Sequence, residues 1–495
     1  MGIRRDVSRG VFWVAVSQAG NKAIAFLVQI ILARILVPED FGLVAVAYLA
    51  LDSLQLFSEL GFTSALIYRK DRIKEASWSV FYLVLAGGLV TTIIGIAAAP
   101  TIAWFFKDPR VTPLLRVLSA TMLLSAFGQV PLALLAREMD FKKRVTPIVV
   151  PSLGNGLVSI ICALSGQGVW SLVAGRVTHS LLTSILAYVV SDWRPRWTLD
   201  QGLIREMFDY GKHIVGSQLL VFAITNVDDT FVGRILDKAS LGAYGLAYNL
   251  SNLPATQITR IVGQVMFPAF SRIQDDADAM KRIFLETMGY IALLSIPISL
   301  ATIMFAGDFV YTLYGEKWAA AIVPLQWLGI YGLIRSIAAN MGNIFKASGN
   351  TKWLTYIALW RLITMLLFLY PATKYYGIVG VSMLSAVVAV VDFFISAILV
   401  NRIIHARALD YIRVLGPILL VAGGSAAIAR LAQEQFRATP HARIGFITAL
   451  LVMVIIYFAG IWLVNRDVRD KVRGIARSLT EKNGLAYLGE DDRSR

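Results

Sequence analysis

The sequence is poor in the residues on which secreted and ordinary soluble proteins depend. Its single cysteine, Cys162, excludes an internal disulfide and with it a disulfide-stapled fold. Charged residues make up only 16% of the 495 residues, whereas typical globular proteins carry about 25%. Hydrophobic residues make up 57%. Several soluble domains would therefore lack a solvated surface, and the composition predicts a polytopic membrane protein.

Motifs of metal, nucleotide and hydrolytic enzymes are also missing. The four histidines are scattered without metal-ligand spacing, and no Walker loop, HExxH motif or nucleophile elbow occurs. We expect no catalytic residues, no metal site and no cofactor.

Long hydrophobic runs are abundant. Runs of about 20 apolar residues, the length of a helix that crosses a bilayer, recur along the chain with short polar loops between them. We predict an all-α membrane fold with about 14 transmembrane helices. The predicted spans are 10–33, 41–60, 78–100, 112–135, 145–165, 168–190, 212–233, 241–270, 283–306, 319–345, 353–373, 377–400, 413–432 and 442–464.

Basic residues are concentrated in alternate loops. With the N-terminus inside, the cytoplasmic segments hold 31 of the 47 lysines and arginines and the outer segments hold 10. Because positive charge in short loops stays cytoplasmic, both termini are predicted to be cytoplasmic. The net charge of +15 is then mainly a topology signal, and we expect no nucleic-acid partner.

An internal repeat appears at an offset of 200 residues. Between residues 17 and 54 it gives ten identities without a gap, among them Arg34 with Arg234 and Tyr48 with Tyr248. An even number of spans separates the copies, so the halves run parallel, as in transporters with two lobes around a central cavity. We predict lobes over 1–200 and 201–405, two extra helices over 406–464, and a charged cytoplasmic tail over 465–495.

Polar stripes mark three of the predicted spans. In the first span Gln18, Lys22 and Gln29 share one helix face, in the second Tyr48 and Asp52 do so, and in the eighth Asn252 and Arg260. Charges inside a bilayer are costly and usually face protein or water. We predict a hydrated cavity, with pairing of Lys22 and Asp52 between neighbouring helices as the structural alternative. The predicted cavity residues are Gln18, Lys22, Gln29, Tyr48, Asp52, Asn252, Arg260, Arg335 and Arg361.

Such a cationic cavity suits an anion, since arginine binds phosphate through two parallel hydrogen bonds. Diphosphate is a plausible cargo on this chemistry. The adjacent Asp228 and Asp229 are candidates for binding a coupling cation or proton, or for pairing with arginine in the other lobe.

Three stretches resemble a known family. The opening RRDVSRGVFWVAVSQAGNKAIAFLVQIILARILVPEDFGLVAVAYLAL, the following GFTSALIYRKD, and the stretch from YGKHIVGSQLL through GAYGLAYNL are similar to the Wzx-like oligosaccharide flippases, or polysaccharide transporters, of the multidrug/oligosaccharidyl-lipid/polysaccharide exporter superfamily. The similarity extends over about residues 1–400, and its pattern LARxLxPxDFG is fairly specific among membrane proteins.

The resemblance implies a MATE-like fold and transfer of undecaprenyl-diphosphate-linked repeat units across the bacterial inner membrane, for exopolysaccharide, capsule or O-antigen synthesis. Lys22 and Arg260 occupy positions suited to the diphosphate. Membrane lipids, a polysaccharide polymerase and export machinery are the implied partners. The nearest alternative is an ion-coupled multidrug exporter of the same superfamily, although that class is expected to have an acidic, aromatic pocket. Two further alternatives stay open, a membrane glycan polymerase or ligase and a structural scaffold. The outer loops look short for the first, and the second does not explain the polar stripes.

Overall fold

A computed structural model describes residues 20–58, 61–69, 71–138, 141–437 and 442–464. All regular elements in these ranges are helical, which confirms the all-α prediction. A short 3-10 helix, Glu316–Ala321, precedes α12. The α-helices are α1 (20–35), α2 (Pro38–Ser58), α3 (Phe62–Tyr68), α4 (Ile73–Phe105), α5 (Val111–Arg137), α6 (Phe141–Leu164), α7 (Val169–Val190), α8 (Gln201–Ile235), α9 (Lys238–Arg272), α10 (Ala277–Met304), α11 (Ala306–Leu313), α12 (Ile322–Ala338), α13 (Met341–Ala347), α14 (Lys352–Ile404), α15 (Ala408–Arg437) and α16 (Ala442–Val464).

Each predicted span overlaps a described helix, whereas α3 and all but the first residue of α11 lie between predicted spans, and the number of crossings stays a prediction. Nine helical stretches of the described chain are long and apolar enough to cross a bilayer. One of them, α14, covers both the eleventh and the twelfth predicted span. Gly377 interrupts it with a φ of 58°, a left-handed conformation that glycine adopts without a steric penalty. The break lies at the predicted loop between these two spans.

The described chain divides into two compact units, and the first contains every described residue of the first predicted lobe. It comprises the described residues up to Ala247 together with Leu313–Ala321 and Trp360–Leu384. Within it α4 packs on α5, α6 on α7, and α5 on α7. Phe81 and Leu66 lie in a buried cluster that joins α3, α4 and α5. These helices fix the positions of the polar side chains described in the next section.

The repeat is visible in the first unit as two equivalent turns. α1 ends at residue 35 and α2 begins at Pro38, while α8 ends at Ile235 and α9 begins at Lys238, which is an offset of 200 in both cases. Gly42 and its equivalent Gly242 lie where the two copies cross. A Cβ atom on Gly42 would lie 1.7 Å from the Lys238 carbonyl oxygen, and one on Gly242 would lie 1.9 Å from the Pro38 carbonyl oxygen. The contact is reciprocal, as it is between symmetry-related surfaces.

Hydrogen bonds and ion pairs surround this crossing. The Lys238 ammonium is buried and donates to the carbonyl oxygens of Phe106 and Gly233, both at 2.8 Å. Arg110, in the turn after α4, pairs with Glu39 at 2.6 Å and with Asp108 at 2.8 Å. The start of α2 and the start of α9 are thereby tied to the end of α4.

The second unit contains Tyr248–Thr312, Ile322–Leu359 and the described residues from Ser385 onward. Phe284 and Phe345 lie in its core, where α10, α13 and the second half of α14 meet. The helices α15 and α16 pack on each other, and α15 packs on α10. Two ion pairs secure α15, Lys281 with Asp410 at 2.7 Å and Arg430 with Asp308 at 2.6 Å. The boundaries predicted for the two lobes, the extra helices and the tail stay a prediction.

Large apolar side chains are exposed along the long helices. Ile93 on α4, Leu367 on α14 and Leu420 on α15 are 57%, 66% and 79% exposed. Soluble proteins rarely expose extended apolar surface, whereas bilayer-spanning helices present it to lipid. The chain is a multi-pass membrane protein.

Candidate functional site

A polar cavity lies inside the first unit between α2, α5 and α7. It has a volume of about 40 Å³, and we call it the Arg176 cavity. Two apolar side chains, Leu51 and Met122, complete a lining that is otherwise polar. Asp52 and Gln55 are exposed, whereas Thr121 is buried. The polar lining residues are Tyr48, Asp52 and Gln55 from α2, Thr121, Ser125 and Gln129 from α5, and Arg176 from α7.

The Arg176 guanidinium is the central group of this cavity. Its Cζ atom lies 5.5 Å from the centroid of the Tyr48 ring, which is a cation–π distance. Its Nε atom is buried without a hydrogen-bond partner. Asp52 lines the same cavity and lies within electrostatic reach of Arg176. One acid therefore balances one base, and hydroxyl and amide groups make up the rest of the polar lining.

A second polar group lies inside the second unit, and we call it the Arg335 cluster: Arg335 and Tyr331 of α12 with Tyr248 and Asn252 of α9. Arg335 Nη1 donates to the Tyr331 hydroxyl oxygen at 3.0 Å and lies 3.5 Å from Asn252 Oδ1, at the limit of hydrogen-bond distance. The rings of Tyr248 and Tyr331 lie 6.0 Å apart between centroids. These partners are all neutral.

A close helix contact brings the Arg335 cluster together. A Cβ atom on Gly332 would lie 2.2 Å from the Ser251 carbonyl oxygen, so the glycine allows α9 and α12 to touch through their backbones. Asn252 follows Ser251 directly and is 7% exposed. In the part of the chain that the structure describes, no carboxylate forms an ion pair with Arg335. Its positive charge is therefore not cancelled by these partners.

The predicted cavity residues are distributed over several places. Tyr48 and Asp52 line the Arg176 cavity, and Asn252 and Arg335 form the second cluster. On α1 the Lys22 side chain is exposed and Gln29 is half-buried, and no ion pair joins Lys22 to Asp52. Arg361 is half-buried on α14. Gln18 and the side chain of Arg260 lie outside the described residues.

Five polar lining residues are not in the predicted set: Gln55, Thr121, Ser125, Gln129 and Arg176. Arg176 lies inside the sixth predicted span, but the sequence alone does not assign it to the cavity. Thr121, Ser125 and Gln129 are spaced by four residues, which places them on one face of α5. This spacing is visible in the sequence of the fourth predicted span. Because serine and threonine are common at the packed faces of membrane helices, this spacing alone does not identify a cavity lining.

The candidate ion-coupling residues lie on α8. Asp228 is buried and accepts a 2.6 Å hydrogen bond from the Tyr244 hydroxyl of α9. The backbone N–H of Asp229 donates to the Asp228 carboxylate at 3.1 Å. No group of three or more His, Cys, Asp or Glu side chains suited to a metal ion occurs among the residues with described positions. The role of both aspartates in coupling stays a prediction.

Comparison with known proteins decides the family. The sequence profile of the polysaccharide biosynthesis protein family matches residues 31–323, more than half of the chain. The chain belongs to this family. Among relatives in the family, the succinoglycan biosynthesis transport protein ExoT of Rhizobium meliloti (strain 1021) is 27% identical over 495 residues, covering 98% of this chain and 99% of ExoT. The lipopolysaccharide biosynthesis protein WzxC of Escherichia coli (strain K12) is 24% identical over 364 residues, covering 71% of this chain and 72% of WzxC.

Solved structures share the fold of this family member at low sequence identity. The lipid II flippase MurJ in an inward closed conformation superposes with a TM-score of 0.73 at 13% identity, covering 92% of this chain and 99% of MurJ. An inward-facing MATE family multidrug transporter superposes with a TM-score of 0.60 at 17% identity, covering 78% of this chain and 96% of the transporter. The resemblance to Wzx-like transporters and the MATE-like fold class are confirmed.

Proposed function

We propose that this family member is a flippase for undecaprenyl-diphosphate-linked oligosaccharide repeat units. It transfers them from the cytoplasmic to the periplasmic leaflet of the bacterial inner membrane for exopolysaccharide, capsule or O-antigen synthesis. One relative that matches along its whole length is named a succinoglycan biosynthesis transport protein, and MurJ, which has the same fold, is named a lipid II flippase. Both names support a lipid-linked glycan as cargo.

The charge of the Arg335 cluster is the observation that carries this proposal. A guanidinium inside a membrane protein is costly unless it is paired, solvated or used. Arg335 has neutral hydrogen-bond partners in Tyr331 and Asn252. Its positive charge therefore supports binding of an anion, and a diphosphate accepts the two parallel hydrogen bonds that arginine offers.

The transport cycle that fits is alternating access. A cavity open to the cytoplasm takes up the diphosphate and the glycan while the polyprenyl tail stays in the bilayer, and rocking of the lobes exposes the cargo to the other side. Lys22, exposed on α1, supplies a second positive charge for capture. Gln18, Gln29, Arg260 and Arg361 are the remaining proposed lining residues.

Coupling, orientation and partners complete the proposal. Asp228 and Asp229 are the candidates for binding a coupling ion, with the Tyr244 hydrogen bond holding Asp228 in place. Both termini lie in the cytoplasm, as the distribution of basic residues favours. A periplasmic polymerase that receives the repeat unit is the expected partner.

Substitution of Arg335 tests the proposal. Arg335→Gln removes the charge but keeps hydrogen bonding, and loss of a hydrogen bond to a charged group costs about 1.5 to 3 kcal/mol. We expect roughly 10- to 100-fold weaker binding of the lipid diphosphate and a matching loss of polysaccharide export, with partial recovery in Arg335→Lys. Export is measured by complementation of a deletion strain at equal protein abundance.

Arg116→Gln is the matched control. Arg116 is an exposed arginine near the start of α5, and in the described chain it forms no ion pair. Its loss should leave export unchanged. Wild-type export by Arg335→Gln would contradict the role of Arg335 in binding the diphosphate. Failure of the wild-type chain itself to restore export, together with extrusion of organic cations by the same cells, would contradict the flippase proposal and favour the multidrug exporter.

A further inference from the structure

The Arg176 cavity differs from the Arg335 cluster at one repeat-equivalent position. Tyr48 corresponds to Tyr248, and Asp52 corresponds to Asn252. Each pair is presented from the second helix of its repeat, and each lies near an arginine. In the first repeat the Asp52 carboxylate balances the charge of Arg176. In the second repeat the neutral Asn252 amide leaves the charge of Arg335 in place. The two sites therefore suit ligand groups of different charge.

The lining of the Arg176 cavity suits a neutral polar group. Ser125, Thr121, Gln55 and Gln129 offer hydroxyl and amide groups, which both donate and accept hydrogen bonds. Part of this capacity is already used, since Thr121 donates to the Leu118 carbonyl oxygen at 2.6 Å and Ser125 to the Ser180 hydroxyl at 3.3 Å. The Nε–H of Arg176 is a buried donor that lacks an acceptor. Buried polar groups without partners are rare in folded proteins.

The size of the cavity limits what it can hold. A water molecule needs about 10 to 15 Å³ of such space, so 40 Å³ holds roughly three waters. The same volume accepts a small polar substituent. Exposed Asp52 and Gln55 stand at the accessible end, and buried Thr121 and Met122 form the deep end. A group that projects from a ring can therefore enter past Asp52 and reach the α5 hydroxyls.

We infer that the Arg176 cavity is a specificity subsite for a neutral exocyclic group of the transported glycan, a hydroxymethyl or an acetamido group. The inference rests on the proposed flippase function. The hydroxyl groups of Ser125 and Thr121 hydrogen-bond to the substituent. Because Arg176 and Asp52 carry opposite charges, the site disfavours a substituent with a net charge. The Arg335 cluster binds the diphosphate separately, so substituent recognition and diphosphate binding are separable by mutation.

Binding of short-chain probes to the purified full-length protein tests this inference. The probes are farnesyl diphosphate alone and farnesyl diphosphate linked to glucose, 6-deoxyglucose or N-acetylglucosamine. For the wild type we expect at least fivefold tighter binding of the glucose or the N-acetylglucosamine probe than of the 6-deoxyglucose probe. Ser125→Leu fills the cavity and should abolish this preference, while binding of farnesyl diphosphate alone stays unchanged.

Two further variants separate recognition from a general structural effect. Thr121→Val keeps the side-chain volume and removes the hydroxyl, and should reduce the preference about twofold to fivefold. Ser152→Leu is the control, because the Ser152 hydroxyl donates to Ile148 of its own helix α6 and does not line the cavity. It should bind all four probes as the wild type does. Comparable thermal unfolding midpoints show that each variant folds.

The outcomes are distinguishable. No sugar preference in the wild type, or an equal loss for all four probes in Ser125→Leu, would overturn the substituent subsite while leaving the flippase proposal intact. Failure of the wild type to bind farnesyl diphosphate at all would overturn the flippase proposal, and the subsite with it.

Discussion

Two arginines in this protein lie in contrasting environments. Arg176 lies over the Tyr48 ring and shares its cavity with Asp52, whereas Arg335 is bound by the Tyr331 hydroxyl and lies near the Asn252 amide oxygen. The exchange of an acid for an amide at equivalent repeat positions is enough to change the local net charge. We therefore expect anion binding in the second repeat and binding of a neutral polar group in the first.

Asp108 gives a prediction for the dependence of stability on pH. Partial burial of this carboxyl opposes ionisation, but hydrogen bonds from the Arg110 side chain and backbone N–H outweigh it and lower the pKa of Asp108. Because the pKa is lower in the folded state, the stabilisation is present above the ordinary value of about 4 and is lost as the pH falls through the lowered value. The ion pair should therefore persist at mildly acidic pH.

Thermal unfolding of the purified protein checks this. Asp108→Asn should lower the unfolding midpoint at pH 7, and the difference from the wild type should shrink below about pH 4. Asp275→Asn, at an exposed position between α9 and α10, should match the wild type at every pH. A difference between Asp108→Asn and the wild type that is as large at pH 3 as at pH 7 would contradict the account.

Sequence reasoning located part of the site. Tyr48, Asp52, Asn252 and Arg335 were identifiable because polar residues at helical spacing stand out in apolar spans. The sequence does not show which arginine lies beside which polar stripe. Arg176 meets Tyr48 only because α2 packs on α7, and these two helices are far apart in sequence. Helix periodicity gives the face of a residue but not its neighbour on another helix.

At the scale of elements, the glycine crossing joins the two copies of the repeat. Gly42 lies against the Lys238 carbonyl oxygen, and Gly242 lies against the Pro38 carbonyl oxygen. Both contacts are with backbone atoms, which have no rotamer by which to move away. The turns before α2 and before α9 are therefore in direct backbone contact.

Alanine at either glycine should weaken the fold. Each added methyl overlaps a carbonyl group, and overpacking of this kind typically costs about 1 to 3 kcal/mol. We expect Gly42→Ala and Gly242→Ala each to lower the thermal unfolding midpoint. The double variant should lose less than the sum of the two, since both methyl groups separate the same contact.

Gly245→Ala is the matched control for this pair. Gly245 lies on the same helix α9, and nothing lies within 4 Å of a Cβ atom added there. Alanine should be neutral or slightly stabilising at this position because it favours helix more than glycine does. Destabilisation by Gly245→Ala as large as that by Gly242→Ala would show that the close contact is not the cause.

The helices themselves were largely predictable from hydropathy. A chain in lipid has to satisfy its backbone hydrogen bonds internally, so long apolar runs have to be helical. The residues at which the helices begin and end were less predictable. α8 begins at Gln201, eleven residues before the predicted span at 212, because its first three turns alternate charged and apolar residues and carry no continuous hydropathy signal. One of these residues, Glu206, pairs with Arg69 at 3.0 Å, a contact far apart in sequence.

At the scale of the whole molecule, the long helices expose apolar side chains, and each unit encloses a polar cluster. Exposed apolar side chains such as Leu367 and Leu420 suit a bilayer. A lipid-linked glycan has the same division, with an apolar tail, an anionic diphosphate and a neutral sugar. The family match over residues 31–323 is consistent with this complementarity.

The sidedness of the lipid-diphosphate-linked oligosaccharide tests the central claim most directly. It is measured by the access of an external glycan-modifying reagent to intact and permeabilised spheroplasts, with and without this protein, in a strain shown to make the lipid-linked unit. The account predicts that cells lacking the protein accumulate the unit on the cytoplasmic leaflet and that the intact chain restores its transfer. Normal transfer in cells without this protein and without other flippases would contradict it.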